Sequence, residues 1–236
     1  MDTDGEDAEK RLSPERYFDV SGMPLAGLLE GVRYAWEIVP RIREVLAGFD
    51  GWRIEGEVAR GAHVEGKVRM GRGSVVEPGA FIQGPAYIGE GAVIRHGAYV
   101  RGDVIVGDEC VVGHATEVKN SVFLRGAKAA HFAYVGDSVL GAGVNLGAGT
   151  KLANFKFRAG GSEVVVRIGG RDFPTGLRKL GAILGDGVEF GCNCVAAPGT
   201  LVGKNSLVYA GASVSGVIPG NSIIKLKQTL HAVKRL

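Results

Sequence analysis

The sequence has few cysteines, few aromatic residues and no long apolar run. Its three cysteines, an odd number, argue against a disulfide scaffold and for a reducing compartment, so we expect a cytoplasmic protein. No run approaches the 18 consecutive apolar residues of a membrane span, and the acidic start MDTDGEDAEK is unlike a signal peptide. The 28 basic and 25 acidic residues nearly cancel. We therefore expect neither nucleic acid nor a membrane as a partner.

Glycine, by contrast, is abundant. It accounts for 39 of 236 residues, about 17% where an average protein has roughly 7%. No Gly-X-Y triplet runs through the chain, which excludes collagen. The apolar fraction of 45% and the small net charge argue against a disordered chain. The glycine must therefore serve a folded architecture.

An aliphatic residue recurs at every sixth position along most of the chain. The series has twelve members from Val58 to Leu124, three from Leu140 to Leu152 and six from Leu184 to Val214. A period of six fits short strands separated by tight turns rather than a helix, and three hexads close one triangular coil. We therefore predict an all-β solenoid, a left-handed parallel β-helix of about seven coils.

The repeat is interrupted twice. Leu124 and Leu140 are sixteen residues apart, which predicts a phase slip around Lys128 to Val135, where the backbone leaves the regular coil. An insert at 155–179 contains the run EVVVRI after AGGS, which predicts a β-hairpin. Functional residues tend to lie at such breaks in a regular scaffold.

The two ends of the chain lack the repeat. The segment PLAGLLEGVRYAWEIV predicts an amphipathic helix that begins at Pro24 and is kinked or ended by Pro40. We expect it to cap the first coil, because an open solenoid end exposes unpaired backbone groups. The predicted organisation is a disordered acidic tail at 1–15, a helical N-terminal cap at 16–50, the β-helix at 51–224 and a basic tail at 225–236.

Residues 117–157 carry the most specific pattern, K-x11-H-x2-Y-x10-N-x8-N. This segment closely resembles the acetyltransferase domain of the bifunctional N-acetylglucosamine-1-phosphate uridylyltransferase/glucosamine-1-phosphate acetyltransferase family. The insert followed by TGLRKLGAILGDGVEFG is similar to archaeal sugar-1-phosphate nucleotidylyltransferases that carry an amino-sugar acetyltransferase domain. The resemblance covers about residues 54–224. It implies acetyl-CoA-dependent N-acetyl transfer to an amino-sugar 1-phosphate, no required metal, and a homotrimer with active sites between subunits.

Acetyl transfer to an amine needs a base, because the ammonium form of the sugar is unreactive near neutral pH. Histidine suits this role by its pKa, and the resemblance implies that His131 is the general base. Arg101 and Lys119 are eighteen residues apart, one full coil, so we expect them to stack about 5 Å apart. Two such cations repel unless an anion bridges them, and the resemblance implies that they bind the substrate phosphate.

The other site residues are implied by the resemblance alone. Asn154 matches an asparagine near the reacting amine, and Tyr134 and Asn145 match sugar contacts. Lys179 aligns with a substrate-binding lysine only across the insert. The coenzyme A channel corresponds to Ala148, Cys192 and Ala210, with Lys225 or Lys227 near the nucleotide phosphates. The backbone N–H of Ala148 is then in a position to stabilise the oxyanion.

Two other functions stay open. A zinc-dependent γ-type carbonic anhydrase is a related β-helix, and Arg101-Gly102-Asp103 with His96, His114 and His131 hints at it. Its spacing is poor, since the first two histidines lie one coil apart while His131 falls in the slip. The second is a non-catalytic solenoid that retains a sugar-phosphate or coenzyme A site. The segment before the repeat has no glycine-rich nucleotidyltransferase loop, so uridylyltransferase activity is not expected.

Overall fold

A computed structural model describes residues 7–25, 27–157, 163–232 and 234. Most of them form short β-strands that wind into a solenoid. In chain order the strands are β1 (Glu57–Val58), β2 (His63–Glu65), β3 (Val68–Met70), β4 (Val75–Val76), β5 (Phe81–Gln83), β6 (Ala86–Ile88), β7 (Val93–Ile94), β8 (Tyr99–Arg101), β9 (Val104–Val106), β10 (Val111–His114), β11 (Glu117–Lys119), β12 (Ser121–Phe123), β13 (Lys128–His131), β14 (Tyr134–Gly136), β15 (Val139–Leu140), β16 (Asn145–Leu146), β17 (Lys151–Leu152), β18 (Val165–Ile168), β19 (Arg171–Pro174), β20 (Ala182–Leu184), β21 (Glu189–Phe190), β22 (Val195–Ala196), β23 (Thr200–Val202), β24 (Leu207–Val208), β25 (Ser213–Val214), β26 (Val217–Ile218) and β27 (Ile223–Ile224).

These strands form three parallel sheets, one on each side of a triangular coil. The first sheet has the order β1-β4-β7-β10-β13-β16-β21-β24-β27, the second β2-β5-β8-β11-β14-β17-β22-β25, and the third β26-β23-β20-β15-β12-β9-β6-β3. The parallel β-helix predicted from the hexads is therefore confirmed. It has about nine turns rather than seven. The count of exact hexads missed Ala129 and Val135, which continue the series after the shorter step to Phe123, and Ile218 and Ile224, which continue it after a shorter step from Val214.

The predicted phase slip consists of two five-residue steps. Val118 and Val100 are paired across 18 residues, whereas Phe123 pairs with Val106 across 17. The interior series therefore steps by five from Val118 to Phe123, and again by five from Val135 to Leu140. Each step removes one residue from the corner between the second and third sheets.

Two earlier expectations fail as a result. Phe123 rather than Leu124 faces the solenoid interior, while Leu124 packs in a separate cluster outside it. The segment around His131 does not leave the coil: strand β13 pairs with β10 below it and β16 above it. The irregularity lies at the next corner of the triangle.

The solenoid interior is a continuous stack of aliphatic and small side chains. The residue two positions before each large interior residue is small or β-branched, and Cys110 and Cys194 occupy two of these positions, fully buried. Glycine at the corners permits the left-handed conformation that the tight turns require, as at Gly97 with φ of 70°. The glycine excess is thus explained by the turns of the repeat.

The N-terminal segment is less helical than predicted. Its one α-helix, α1, spans Ile38–Gly48, and short 3₁₀ helices span Lys10–Leu12, Pro14–Arg16, Val20–Gly22 and Ala35–Glu37. The helix predicted over 24–39 is wrong, because Gly27 and Gly31 have φ of 88° and 72° and interrupt it. Pro40 lies in the first turn of α1, where its missing N–H removes no helical hydrogen bond.

This segment covers the third sheet rather than the first coil. Its apolar side chains form a second hydrophobic cluster with the outward face of that sheet, including Ile105, Val139, Ile183 and Leu201. Residues 7–15 are part of this packing, since Leu12 is fully buried. The disordered tail predicted for 1–15 is thus contradicted from residue 7, and its first six residues lie outside the described part.

The insert folds onto the same side of the solenoid. Strands β18 and β19 form the antiparallel hairpin predicted from EVVVRI, with Gly169-Gly170 as its two-residue turn. The AGGS run before it lies outside the described residues. Val166, Ile168 and Phe173 of the hairpin join the second hydrophobic cluster. The third sheet is thereby covered, and the first and second sheets present the free surfaces.

Within the described ranges, the structure contains no helix with the length and apolar character needed to cross a bilayer.

Candidate active site

One edge of the solenoid, between the first and second sheets, carries His131. The backbone hydrogen bonds there run Phe132 N to His114 O (2.8 Å) and Gly149 N to His131 O (3.0 Å). They continue with Asn193 N to Ala148 O and Gly211 N to Cys192 O, both at 2.8 Å. Successive turns of this edge, which we call the histidine edge, therefore carry in order His96, His114, His131, Ala148, Cys192 and Ala210.

The three histidines of this edge occupy consecutive turns. The rings of His96 and His114 are stacked, with centroids 5.4 Å apart and planes at 12°. Nδ1 of His114 lies 2.8 Å from the carbonyl oxygen of His96, and Nδ1 of His96 lies 2.6 Å from that of Pro78. A carbonyl oxygen only accepts, so both Nδ1 atoms carry the proton and donate it. His131 pairs in register with His114 and is exposed.

Phe132 adopts an unusual backbone conformation next to His131. Its φ is 53°, and its side chain is 54% exposed although it is large and apolar. Glycine occupies the equivalent corner at Gly97 and Gly149. The Phe132 ring lies 5.3 Å from that of His114 and 6.2 Å from that of His131. A bulky residue in this region is strained, so this turn departs from the glycine pattern of the repeat directly beside His131.

A second group of candidate residues lies across the second sheet, at its edge with the third. Its centre is Asp137, whose side chain is 6% exposed. Lys119 Nζ lies 3.3 Å from Asp137 Oδ2, and Asn120 Nδ2 donates to Oδ1 at 2.8 Å. The amide nitrogen of Asn154 donates to Oδ2 through a short hydrogen bond. Sequence reasoning missed Asp137.

Tyr134 lies on the face of the second sheet between the two edges. Its hydroxyl approaches within 2.7 Å of the position that a Cβ on Gly136 would take, so a larger residue there would displace the Tyr134 and Asn154 side chains. Burial raises the pKa of Tyr134, and a hydrogen bond with Asn154 opposes that shift in part. The phenol is therefore protonated at neutral pH and can donate to a ligand.

Arg101 and Lys119 lie side by side, as expected from their spacing. Tyr99 and Val100 of β8 pair with Glu117 and Val118 of β11, which brings the next residues of the two strands together. Each cation already has a carboxylate partner: Arg101 Nη1 contacts Glu117 at 2.6 Å, and Lys119 contacts Asp137. Glu117 raises the pKa of Arg101 further. Mutual repulsion therefore gives no reason of its own for a bridging phosphate.

The remaining predicted residues are separated within one chain. Asn145 lies on the first sheet, exposed between Lys128 and Glu189. Lys179 precedes Leu180, whose N–H donates to the carbonyl of Asn154 at 3.0 Å, so it lies beside the Asp137 group. Lys227 is exposed beyond the last strand. Within a single chain, the predicted site residues are therefore spread over the first and second sheets and over the two edges of the second sheet.

The zinc hypothesis finds no support in the part of the chain that the structure describes. No group of three or more histidine, cysteine or acidic side chains there could hold a metal ion. His96, His114 and His131 lie in one row along the solenoid, with two Nδ1 atoms engaged by backbone carbonyls. That row does not form the convergent three-ligand arrangement of a catalytic zinc site.

The coil, its period of six and its stacked sheets define the class: the chain is a hexapeptide-repeat parallel β-helix. Residues 82–191 match the family model described as "GMPPB C-terminal domain". The chain is 34% identical to the bifunctional protein GlmU of Methanococcus maripaludis strain S2 over 214 residues, 91% of this chain and 51% of that protein. It is 31% identical to GlmU of Methanococcus aeolicus, over 95% of this chain and 53% of that protein.

A shorter match has a higher sequence identity. The bifunctional sugar-1-phosphate nucleotidylyltransferase/acetyltransferase of Sulfurisphaera tokodaii is 43% identical over 95 residues, 40% of this chain and 23% of that protein. Among solved structures, the UDP-N-acetylglucosamine acyltransferase of Francisella novicida has a TM-score of 0.45 at 14% identity, covering 68% of this chain and 59% of that one. The chain thus resembles GlmU-like bifunctional proteins along most of its own length, and spans about half the length of the two GlmU proteins.

Proposed function

We propose that the chain is an acetyl-CoA-dependent N-acetyltransferase that acts on an amino-sugar 1-phosphate such as glucosamine 1-phosphate. The observation that carries this proposal is the histidine edge, where an exposed histidine is followed in the next three turns by Ala148, Cys192 and Ala210. The name of one relative, the bifunctional sugar-1-phosphate nucleotidylyltransferase/acetyltransferase of Sulfurisphaera tokodaii, points the same way. The reaction would serve nucleotide-sugar or cell-envelope precursor synthesis in the cytoplasm.

His131 acts as the general base. The nitrogen of the amino sugar must lose a proton as it attacks, and an exposed imidazole is the side chain best suited to accept that proton near neutral pH. The transferred acetyl group is supplied as the thioester of acetyl-CoA. The backbone N–H of Ala148, in the next turn of the histidine edge, is suited to stabilise the negative charge that develops on the carbonyl oxygen.

The small side chains after His131 fit an extended cofactor. Because successive turns are about 4.8 Å apart, Ala148, Cys192 and Ala210 leave a shallow lane of roughly 10 Å free of bulky side chains. Lys227 follows the last turn and is available to the nucleotide phosphates. The attack is direct, so Cys192 lines this lane and forms no acyl intermediate.

The sugar phosphate lies on the second sheet. Arg101 and Lys119 contact its phosphate, Tyr134 donates a hydrogen bond to the sugar, and Asn154 holds the amine. Lys179, beside Asn154, adds a further cation. Asn145 faces away on the first sheet, so we infer that it completes the site of a neighbouring subunit in a homotrimer.

The test is His131→Ala in an acetyl-transfer assay with acetyl-CoA and candidate amino-sugar phosphates. Loss of a general base lowers kcat by about 100- to 10,000-fold. His63→Ala is the matched control, because His63 is exposed on the second sheet and stacks on Phe81, away from the histidine edge. It should retain full activity.

Two results would overturn the proposal: no turnover of any amino-sugar phosphate by the wild type, or equal activity of His131→Ala. Binding of acetyl-CoA without turnover would instead identify a non-catalytic solenoid.

A further inference from the structure

The two five-residue steps of the repeat create a buried carboxylate. The second step, from Val135 to Leu140, draws the corner inward at Asp137, which adopts φ of 49° and is 4% exposed as a residue. Burying a carboxylate without partners is expensive, so its surroundings must compensate it. The compensation here comes from three side chains, Lys119, Asn120 and Asn154.

These contacts determine how Asn154 is oriented. An ionised carboxylate accepts hydrogen bonds and donates none, so the amide nitrogen of Asn154 must face Asp137. The backbone of Asn154 is held separately, because its carbonyl accepts from Leu180 N–H at 3.0 Å. The amide nitrogen also lies beside the Tyr134 hydroxyl, to which it can donate its second proton. Backbone and amide nitrogen are thus both held, which leaves the side-chain oxygen of Asn154 as the acceptor available to a ligand.

The same carboxylate restrains Lys119. Both Asp137 oxygens lie within 3.4 Å of the Lys119 ammonium, whose side chain is 23% exposed. The flexible lysine is therefore held at the turn of Asp137, which follows its own turn, while Arg101 lies in the turn before it. Asp137 therefore contacts both Lys119, which we assign to the phosphate, and Asn154, which we assign to the amine.

We propose that Asp137 is a positioning residue that orients the Asn154 amide toward the substrate amine and holds Lys119 toward the phosphate. This inference rests on the function proposed above. The Asn154 oxygen, once oriented, accepts a hydrogen bond from the amine N–H and directs the nitrogen lone pair to the acetyl carbon. Asp137 itself touches neither substrate.

A residue at the same corner shows what a purely structural aspartate does. Asp103 lies two turns earlier, also with positive φ, at 51°. It bonds Arg43 of α1 at 2.9 Å and tethers the helix to the solenoid. Asp103→Asn is therefore a matched control, because it removes a similar ion pair at the same corner without contacting Lys119 or Asn154.

The kinetic experiment uses Asp137→Asn, since asparagine tolerates positive φ and has the same shape. An amide at 137 has one acceptor oxygen instead of two and no charge, so it cannot accept from both Asn120 and Asn154 or pair with Lys119. We expect kcat to fall by about 10- to 100-fold, because a misplacement of about 1 Å in an active site has effects of that size. We expect KM for the sugar phosphate to rise severalfold as Lys119 loses its position. Asp103→Asn should leave both constants unchanged.

Double variants separate positioning from general damage. If Asp137 acts through Asn154, the loss in kcat disappears when Asp137→Asn is made in an Asn154→Ala background. If it acts through Lys119, the rise in KM disappears in a Lys119→Ala background. Wild-type constants for Asp137→Asn, full additivity in both backgrounds, or an equal effect of Asp103→Asn would each overturn the proposal.

A second measurement needs no turnover. In NMR spectra of the wild type, the side-chain NH₂ of Asn154 should exchange slowly with solvent, and this protection should be lost in Asp137→Asn but kept in Asp103→Asn. Rapid exchange in the wild type would overturn the inference. An inactive wild type with a protected Asn154 amide would refute the proposed function and leave the orienting role of Asp137 supported.

Discussion

At the scale of single residues, the solenoid interior suppresses the chemistry of two of its three thiols. Cys110 is fully buried, and its Sγ lies 3.0 Å from the carbonyl oxygen of Leu124. Burial raises the pKa of Cys110 to about 12 and raises that of Cys194 as well. Since the thiolate is the reactive form, only the exposed Cys192 is available to reagents.

The raised pKa of Cys110 makes stability fall at alkaline pH. Below about pH 8.5 the thiol is protonated in both states, whereas above it the unfolded chain loses this proton first. The free energy of unfolding should therefore decrease by up to about 1.4 kcal/mol per pH unit as pH rises from 8.5 toward 12.

Chemical denaturation between pH 8 and 10 measures this effect. Cys110→Ala is the control, because alanine occupies the equivalent interior positions at Ala92 and Ala127. The alanine variant should show a shallower decline than the wild type. Parallel curves for the two proteins would show that Cys110 does not contribute.

At the scale of elements, the third sheet depends on segments outside the repeat. The N-terminal segment, α1 and the β18–β19 hairpin bury its outward face and form the second hydrophobic cluster. Tyr34 illustrates the junction: its ring stacks on Trp36 at 4.8 Å and meets Phe173 of the hairpin edge-on at 5.9 Å. These elements stabilise the solenoid from the side, along its length.

Truncating a buried aromatic residue of this cluster tests that role. Phe18 is 1% exposed, and Phe18→Ala should reduce the free energy of unfolding by about 3–5 kcal/mol, through lost burial and a cavity. Phe157, 94% exposed, is the control of the same residue type. Its replacement by alanine should change stability by less than about 0.5 kcal/mol. Similar unfolding midpoints for the two variants would contradict the second core.

At the scale of the whole molecule, the candidate site is divided between faces. His131 lies on the edge between the first and second sheets, Asn154 at the far edge of the second, and Asn145 on the first. A rigid solenoid does not bring these surfaces together by folding further. We propose that contact between copies, in the closed cyclic arrangement of a trimer, does so.

Subunit complementation tests this arrangement. We expect light scattering to give three times the chain mass, and His131→Ala and Asn145→Ala to be inactive alone. If each site takes His131 from one copy and Asn145 from the next, mixed and reassembled trimers of the two variants should recover part of the activity. A monomeric mass, or mixtures with no recovery despite confirmed subunit exchange, would contradict a shared site.

Much of the fold follows from the sequence because a β-helix is a local pattern. The period of six predicted the strands, and the run EVVVRI after AGGS predicted the hairpin. The prediction of an N-terminal helix failed because Gly27 and Gly31 interrupt the helical backbone. The apolar residues of the segment are buried against the third sheet instead. Asp137 was missed because its burial follows from the five-residue steps of the repeat. A strict count of six does not show these steps, since it places Leu124 rather than Phe123 in the interior.

By itself, the sequence determined the repeat, the turns and the spacing that singles out His131, because backbone pairing between coils depends only on the residues within each coil. The tertiary structure decided which distant residues meet. It aligned Ala148 with Cys192 despite the intervening insert, covered the third sheet, and gathered Lys119, Asn120 and Asn154 around one carboxylate. Those contacts join side chains from separate turns, and their energies depend on the path of the whole chain.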